Sequence, residues 1–80
     1  MVFKILFARF MVAYKETFLG DVKAKKATLD MINIASVMFR LYMVDLINGN
    51  EMSMIRCYYH YIGICAETYG LEDLWICETL

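Results

Sequence analysis

Residues 29–47 constrain the fold more than any other part of the chain, because they are apolar around most of a helix circumference. Charged and amide side chains occupy only a narrow strip of this segment, at Asp30, Asn33, Arg40 and Asp45. A surface helix has one apolar stripe, whereas a helix that is apolar on most sides must be covered on most sides. The segment therefore predicts a central helix packed between neighbours.

The first segment, residues 1–19, predicts a helix through the spacing of its aromatic residues. These residues follow one another at intervals of 4, 3, 4 and 4, which traces one helix face: Phe3, Phe7, Phe10, Tyr14 and Phe18. Aromatic residues alone favour strands, but the alternation of a strand fits poorly here, so the helical period decides. We interpret the stripe as core packing, with a stripe that fills a partner's groove as the alternative.

Glycines and cap residues divide the chain into segments. Gly20 ends the first helix, and Asp21 can cap the next. Residues 22–28 are either the first turns of the second helix or an exposed linker. Their lysines lie near a helix N-terminus that is already positive, so we expect fraying there, with Thr28 as a later cap. Asn48-Gly49-Asn50 offers a helix stop, a turn and a new cap.

A third helix is predicted from about Glu51 to Tyr69, and Gly70 ends it. A short final helix is predicted over residues 71–80, with Trp75 on its apolar side. The apolar face of the third helix consists of Ile55, Tyr58, Tyr59, Ile62, Cys65, Ala66 and Tyr69. The pattern predicts one all-α domain, a small bundle of three main helices and a short C-terminal helix. The alternative is an α+β fold in which residues 2–19 form a strand or hairpin.

The apolar fraction of the chain, 61% of 80 residues, exceeds what a domain of this length can shelter. Domains of this size bury only about 60% of the surface that the unfolded chain exposes. The surplus must meet a second copy, a partner protein or lipid. The longest membrane candidate, residues 31–47, is short and contains Asn33, Arg40 and Asp45, which predicts no spanning helix.

The cysteines and the N-terminal segment predict the cellular compartment of the protein. Three cysteines, an odd number without a close pair, are typical of buried thiols in a reducing compartment. Arg9 interrupts the apolar start, and no convincing cleavage site follows, so we expect no signal peptide and a cytoplasmic protein.

Charge is divided unevenly between the two halves of the chain. Residues 1–40 carry seven basic and three acidic residues, whereas residues 41–80 carry one basic and six acidic residues. We interpret this division as attraction between two halves of one fold. The alternative is a molecule with two poles that suit self-association or a charged partner.

One strip of the third helix is the candidate partner-binding site. Tyrosine and arginine are favoured contact residues, and glycine permits a close backbone approach. No serine or cysteine nucleophile shares the strip, so we predict neither catalytic residues nor an enzyme. The candidate residues are Arg56, Tyr59, His60, Tyr61, Gly63 and Glu67.

The sequence contains two further candidate sites, one for a metal ion and one for nucleic acid. Cys57, His60, Cys65 and Cys77 lack the tight pairs of known zinc modules, so we expect no metal and no cofactor. A basic patch could bind nucleic acid through Lys15, Lys23, Lys25 and Lys26.

The sequence thus leads to two hypotheses about function. The first is a non-enzymatic interaction protein, a small adaptor or inhibitor of a larger protein, which forms a homodimer when free. The absence of proline and the wealth of Met, Ile, Phe and Tyr are typical of a viral accessory protein. The second is a small nucleic-acid-binding regulator that uses the lysine patch.

Overall fold

The fold is all-α, as the sequence predicts. The computed structural model describes residues 2–75, and no strand occurs among them. The α+β alternative for residues 2–19 is therefore wrong. The described part of the chain forms helices α1 (Val2–Glu16), α2 (Asp21–Met43), α3 (Gly49–Arg56) and α4 (Tyr59–Thr68), followed by a 3₁₀ turn at Glu72–Leu74.

Helix α2 is the centre of the bundle. It packs against α1, α3 and α4, and one of its faces is buried along almost its whole length. The opposite face is open, because Val22, Asn33, Val37 and Arg40 are exposed. The neighbours within residues 2–75 therefore cover α2 on one side, which is less cover than its apolar composition predicts.

The lysine-rich segment is the first two turns of α2, as one of the two alternatives predicts, and the linker alternative is wrong. Ala24 and Ala27 are each 1% exposed within this segment. Thr28 is no cap, because it lies in the helix interior, where its hydroxyl donates to the Ala24 carbonyl at 2.8 Å. Unfavourable charges near a helix N-terminus cost about 0.3–1 kcal/mol each. Packing of the small buried residues outweighs that cost.

Helix α2 ends at Met43, earlier than the predicted Ile47. The Leu46 N–H donates to the Leu41 carbonyl at 2.8 Å, and the Asp45 N–H donates to the Tyr42 carbonyl at 3.1 Å. These two bonds form a Schellman motif, with Asp45 in the left-handed conformation at φ 65°. The sequence does not show this end, because glycine usually occupies the position that Asp45 takes here.

Asn48 is the N-cap of α3, so the cap lies at the first residue of the predicted turn and not at Asn50. Its side chain accepts from the Glu51 N–H at 2.8 Å, and the Glu51 carboxylate accepts from the Asn48 N–H at 3.0 Å. This reciprocal pair is a capping box. Ile47 and Met52 flank it and are both buried, in the positions of a hydrophobic staple.

The predicted third helix is broken at Cys57 and Tyr58, which separate α3 from α4. At the break the Tyr58 ring lies against α1, and its centroid is 5.2 Å from those of both Phe10 and Tyr14. Packing against α1 therefore accompanies a break that the helical period does not reveal. The end of α4 agrees with the prediction, since Gly70 adopts φ 72° and the Leu71 N–H donates to the Ala66 carbonyl at 2.7 Å.

The aromatic stripe of α1 packs into the core, as interpreted from its spacing. Phe3 and Phe10 are buried, and the Phe3 ring stacks on Phe7 at a centroid distance of 5.3 Å. Phe18 is the exception, because it lies beyond the end of α1 and is 62% exposed. The predicted final helix is partly outside the described residues. Its described part is the 3₁₀ turn at Glu72–Leu74, which Trp75 follows.

Candidate interaction surfaces

The predicted partner-binding residues do not form one surface. Tyr59 is only 8% exposed and packs in the core, so little of its side chain is open to a partner. Arg56 lies on α3, and the break at Cys57 and Tyr58 separates it from the residues of α4. Its guanidinium carbon is 5.8 Å from the centroid of the Tyr42 ring, so Arg56 rests on an aromatic face of its own chain.

Tyr61 faces α1 and not the side of α4 where His60 and Gly63 lie. Its hydroxyl is 2.6 Å from that of Thr17, and its ring packs edge-on against Tyr14 at 5.2 Å. Burial raises the pKa of Tyr61, although the hydrogen bond with Thr17 acts in the opposite direction. The residue therefore joins α4 to the end of α1.

Four of the predicted residues, Tyr59, His60, Gly63 and Glu67, line one open groove of about 410 Å³. Ile64 and Trp75 complete this groove, and neither was predicted for it. The Trp75 ring packs edge-on against Tyr59, with centroids 4.9 Å apart. A Cβ atom on Gly63 would lie 3.7 Å from the Trp75 Nε1 atom. Trp75 thus occupies the space into which a partner's backbone was expected to fit. In the sequence, only the glycine inside a predicted helix indicated a close contact at this position.

The lysines of the basic patch are all exposed, but they do not form a stripe. Consecutive residues of an α-helix are about 100° apart, so Lys23 and Lys25 project about 160° apart around α2. The Lys26 ammonium lies 3.8 Å from the Asp30 carboxylate. It is the one salt bridge found among residues 2–75. Lys26 and Asp30 both lie in the basic half of the chain, so this bridge does not join the two halves. Binding of nucleic acid by Lys15, Lys23, Lys25 and Lys26 stays a prediction.

An apolar groove of about 500 Å³ lies beside Lys25 and Lys26, between the start of α2 and the end of α4. Leu29, Tyr69 and Leu71 contribute most of its apolar lining together with Val22, which is 87% exposed. The sequence does not predict this groove, because its lining comes from segments at least forty residues apart.

Several exposed aliphatic side chains lie on the outer side of α1 and α2. A groove of about 390 Å³ runs between the two helices there, lined in part by Arg9, Val12, Glu16, Asp30 and Ile34. On both helices, further residues on the same side extend this surface beyond the groove. We call this surface the outer α1–α2 face and define it by Val2, Ile5, Arg9, Val12, Glu16, Asp30, Ile34, Val37 and Leu41.

The α1 part of this face has the spacing of a helix–helix seam. Its residues 2, 5, 9, 12 and 16 follow at intervals of 3, 4, 3 and 4, the repeat of a coiled coil. Val2, Ile5 and Val12 are 41%, 58% and 58% exposed. Helix α1 therefore has two apolar stripes, an aromatic one in the core and an aliphatic one that the described residues leave open. The spacing of the aromatic residues alone does not reveal this second stripe.

The cysteines differ in their surroundings. Cys65 is buried, as predicted, but Cys57 is exposed at the helix break, where burial was expected. The Cys57 thiol donates to the Ser53 carbonyl at 3.3 Å. Cys77 lies outside the described residues. Among residues 2–75, no three His, Cys, Asp or Glu side chains are grouped so that they could hold a metal ion.

Comparison with known proteins does not identify a function for this chain, so the function is inferred from its surfaces. No family model, curated protein or solved structure matches this chain. Within the described part of the chain, no helix has both the length and the apolar character needed to cross a membrane.

Proposed function

We propose that this protein is a non-enzymatic protein-interaction module, a small adaptor or inhibitor that acts by contact and associates with itself when free. The observation that carries the proposal is the outer α1–α2 face. Its aliphatic side chains have helix-seam spacing and lie open to solvent. A surface helix normally places charged and polar side chains on its solvent side.

The contrast within α1 strengthens the proposal. Lys4, Ala8 and Lys15 lie on its third side, where exposed polar or small side chains are expected. The aliphatic stripe is a different surface, since it borders the α2 groove and continues onto Ile34 and Val37. Single exposed apolar residues are common on proteins, whereas several on one face, here Val2, Ile5, Val12 and Val37, support a contact surface.

The test replaces two aliphatic residues of the face with lysine, Ile5→Lys and Val12→Lys in one variant. We expect the wild-type protein to bind a dye that reports exposed apolar surface and to sediment as more than a monomer at micromolar concentration. The double variant should lose both properties and keep its helical circular dichroism. Both replaced side chains are already 58% exposed, so the fold should tolerate the change.

Val22→Lys is the matched control. It makes the same apolar-to-basic change at a side chain that is 87% exposed but lies outside the outer α1–α2 face. We expect it to preserve self-association. A wild-type protein that is monomeric and binds no dye would remove the reason for the proposal.

A further inference from the structure

The charged residues of the outer α1–α2 face indicate how it is filled. Along the α1 stripe, Arg9 precedes Val12 by three residues and Glu16 follows it by four. Because an α-helix rises about 1.5 Å per residue, Arg9 lies about 4.5 Å before Val12 and Glu16 about 6 Å after it. A basic and an acidic residue thus flank an exposed aliphatic residue at nearly equal distances.

We infer that the partner on this face is a second copy of the chain, with the two α1 helices antiparallel and in contact near Val12. This inference rests on the proposed function and names the partner for the same surface. In the antiparallel arrangement, Arg9 of each copy and Glu16 of the other differ in height by only about 1.5 Å. Two opposite-charge pairs then flank an aliphatic centre.

The charges also select the direction of the two helices. A parallel pair about a two-fold axis would place Arg9 beside Arg9 and Glu16 beside Glu16, and like charges opposite each other are unfavourable. In the antiparallel pair, each Arg9 approaches an acidic end of the groove. Glu16 and Asp30 both line that groove, one from each helix. Asp30 retains 43% exposure of its side chain although it pairs with Lys26.

The arrangement agrees with the architecture of helical bundles. Two α1–α2 hairpins that meet through this face form four helices around a new aliphatic layer. That layer contains Val12, Ile34 and Val37, which the single chain leaves exposed or half-buried. The second copy therefore covers Val37 and the part of α2 that borders the groove with α1.

Charge reversal tests the pairing by sedimentation equilibrium of the full chain. Arg9→Glu and Glu16→Arg each turn two attractive pairs into two repulsive ones, so each should raise the dimer dissociation constant by about tenfold or more. The double variant R9E/E16R restores opposite charges across the antiparallel interface. We expect its dissociation constant to return to within about threefold of the wild-type value.

Lys4→Glu is the control for R9E, because it makes the same charge change on α1 at an exposed residue outside the stripe. It should leave the dissociation constant nearly unchanged. Circular dichroism of every variant establishes that the helices are intact.

Each other result overturns the antiparallel dimer. A wild-type dimer that is insensitive to R9E uses another surface, and a double variant that does not recover has no Arg9–Glu16 pairing. A wild-type monomer whose dye binding depends on Ile5 and Val12 excludes the second copy and the self-association, but leaves an interaction with a different partner protein standing. A monomer without dye binding excludes both.

Discussion

Gly63→Ala offers a sharp test of the described structure, because two interpretations of this glycine predict different results. The sequence suggested that Gly63 lets a partner's backbone approach α4. In the structure, the indole of Trp75 lies over it, and an added Cβ would be 3.7 Å from Nε1 and 3.8 Å from Cδ1. Both distances are ordinary van der Waals contacts, so the methyl group fits without displacement of the indole.

The expected effect on stability is an increase. Gly63 lies in the interior of α4, and glycine at an interior helix position is less favourable than alanine by about 0.5–1 kcal/mol. For a domain of this size, that gain corresponds to a rise in Tm of about 2–8 °C. Self-association should not change, because the space above Gly63 is already filled from the same chain.

Urea unfolding measures the effect with two probes, circular dichroism and fluorescence. Trp75 is the single tryptophan of the chain, so fluorescence reports directly on the contact with Gly63. The matched control is Gly70→Ala, at which φ is 72°, and it should lower the free energy of unfolding by about 1 kcal/mol. A G63A variant that is less stable than the wild type, or that no longer self-associates, would refute the packing of Trp75 over α4.

Two more predictions concern the end of α2 and the contact of Tyr61 with the end of α1. Asp45→Gly should raise the free energy of unfolding by about 0.5–1 kcal/mol in urea titrations, since glycine adopts φ 65° without the steric cost that Asp45 bears; a loss of stability would mean that the carboxylate itself supports this turn. Because burial raises the pKa of Tyr61, the folded state keeps this proton to higher pH than the unfolded state. The contribution of Tyr61 to stability is therefore complete below about pH 10 and declines as pH rises through its folded-state pKa. Urea titrations across this range should show a steeper decline for the wild type than for Tyr61→Phe, and equal slopes would contradict the prediction.

The sequence could predict the helices, because their signals are local. Helical spacing of aromatic residues identified α1, and Gly70 follows the end of α4 in both the prediction and the structure. The predictions at Gly20 are wrong, because α1 already ends at Glu16 and Gly20, not Asp21, is the N-cap of α2. Errors arose where a local signal was weak or ambiguous. Asp45 replaces the glycine that usually ends a helix, and the lysines near Asp21 obscured the start of α2. In each case the outcome depended on burial of residues elsewhere on the same helix.

The candidate surfaces were harder to predict, because each depends on residues that are distant in the sequence. Tyr59 and Tyr61 are only two residues apart, yet one ring is buried beside Trp75 and the other faces Thr17. Seam spacing is visible in the sequence at residues 2, 5, 9, 12 and 16, but the aromatic stripe competes with it. Only the position of α2 shows which of the two stripes the chain itself covers.

By itself, the sequence determined that this chain is helical and that its apolar content exceeds what one small bundle hides. Those properties follow from periodicity and composition, which need no knowledge of long-range contacts. The tertiary structure decided where the excess lies, because burial of one α1 stripe against α2 and α4 leaves the other stripe exposed. It also decided that Trp75 covers Gly63 and that Tyr58 packs on α1 at the helix break, since these contacts join residues whose proximity arises only when the helices pack.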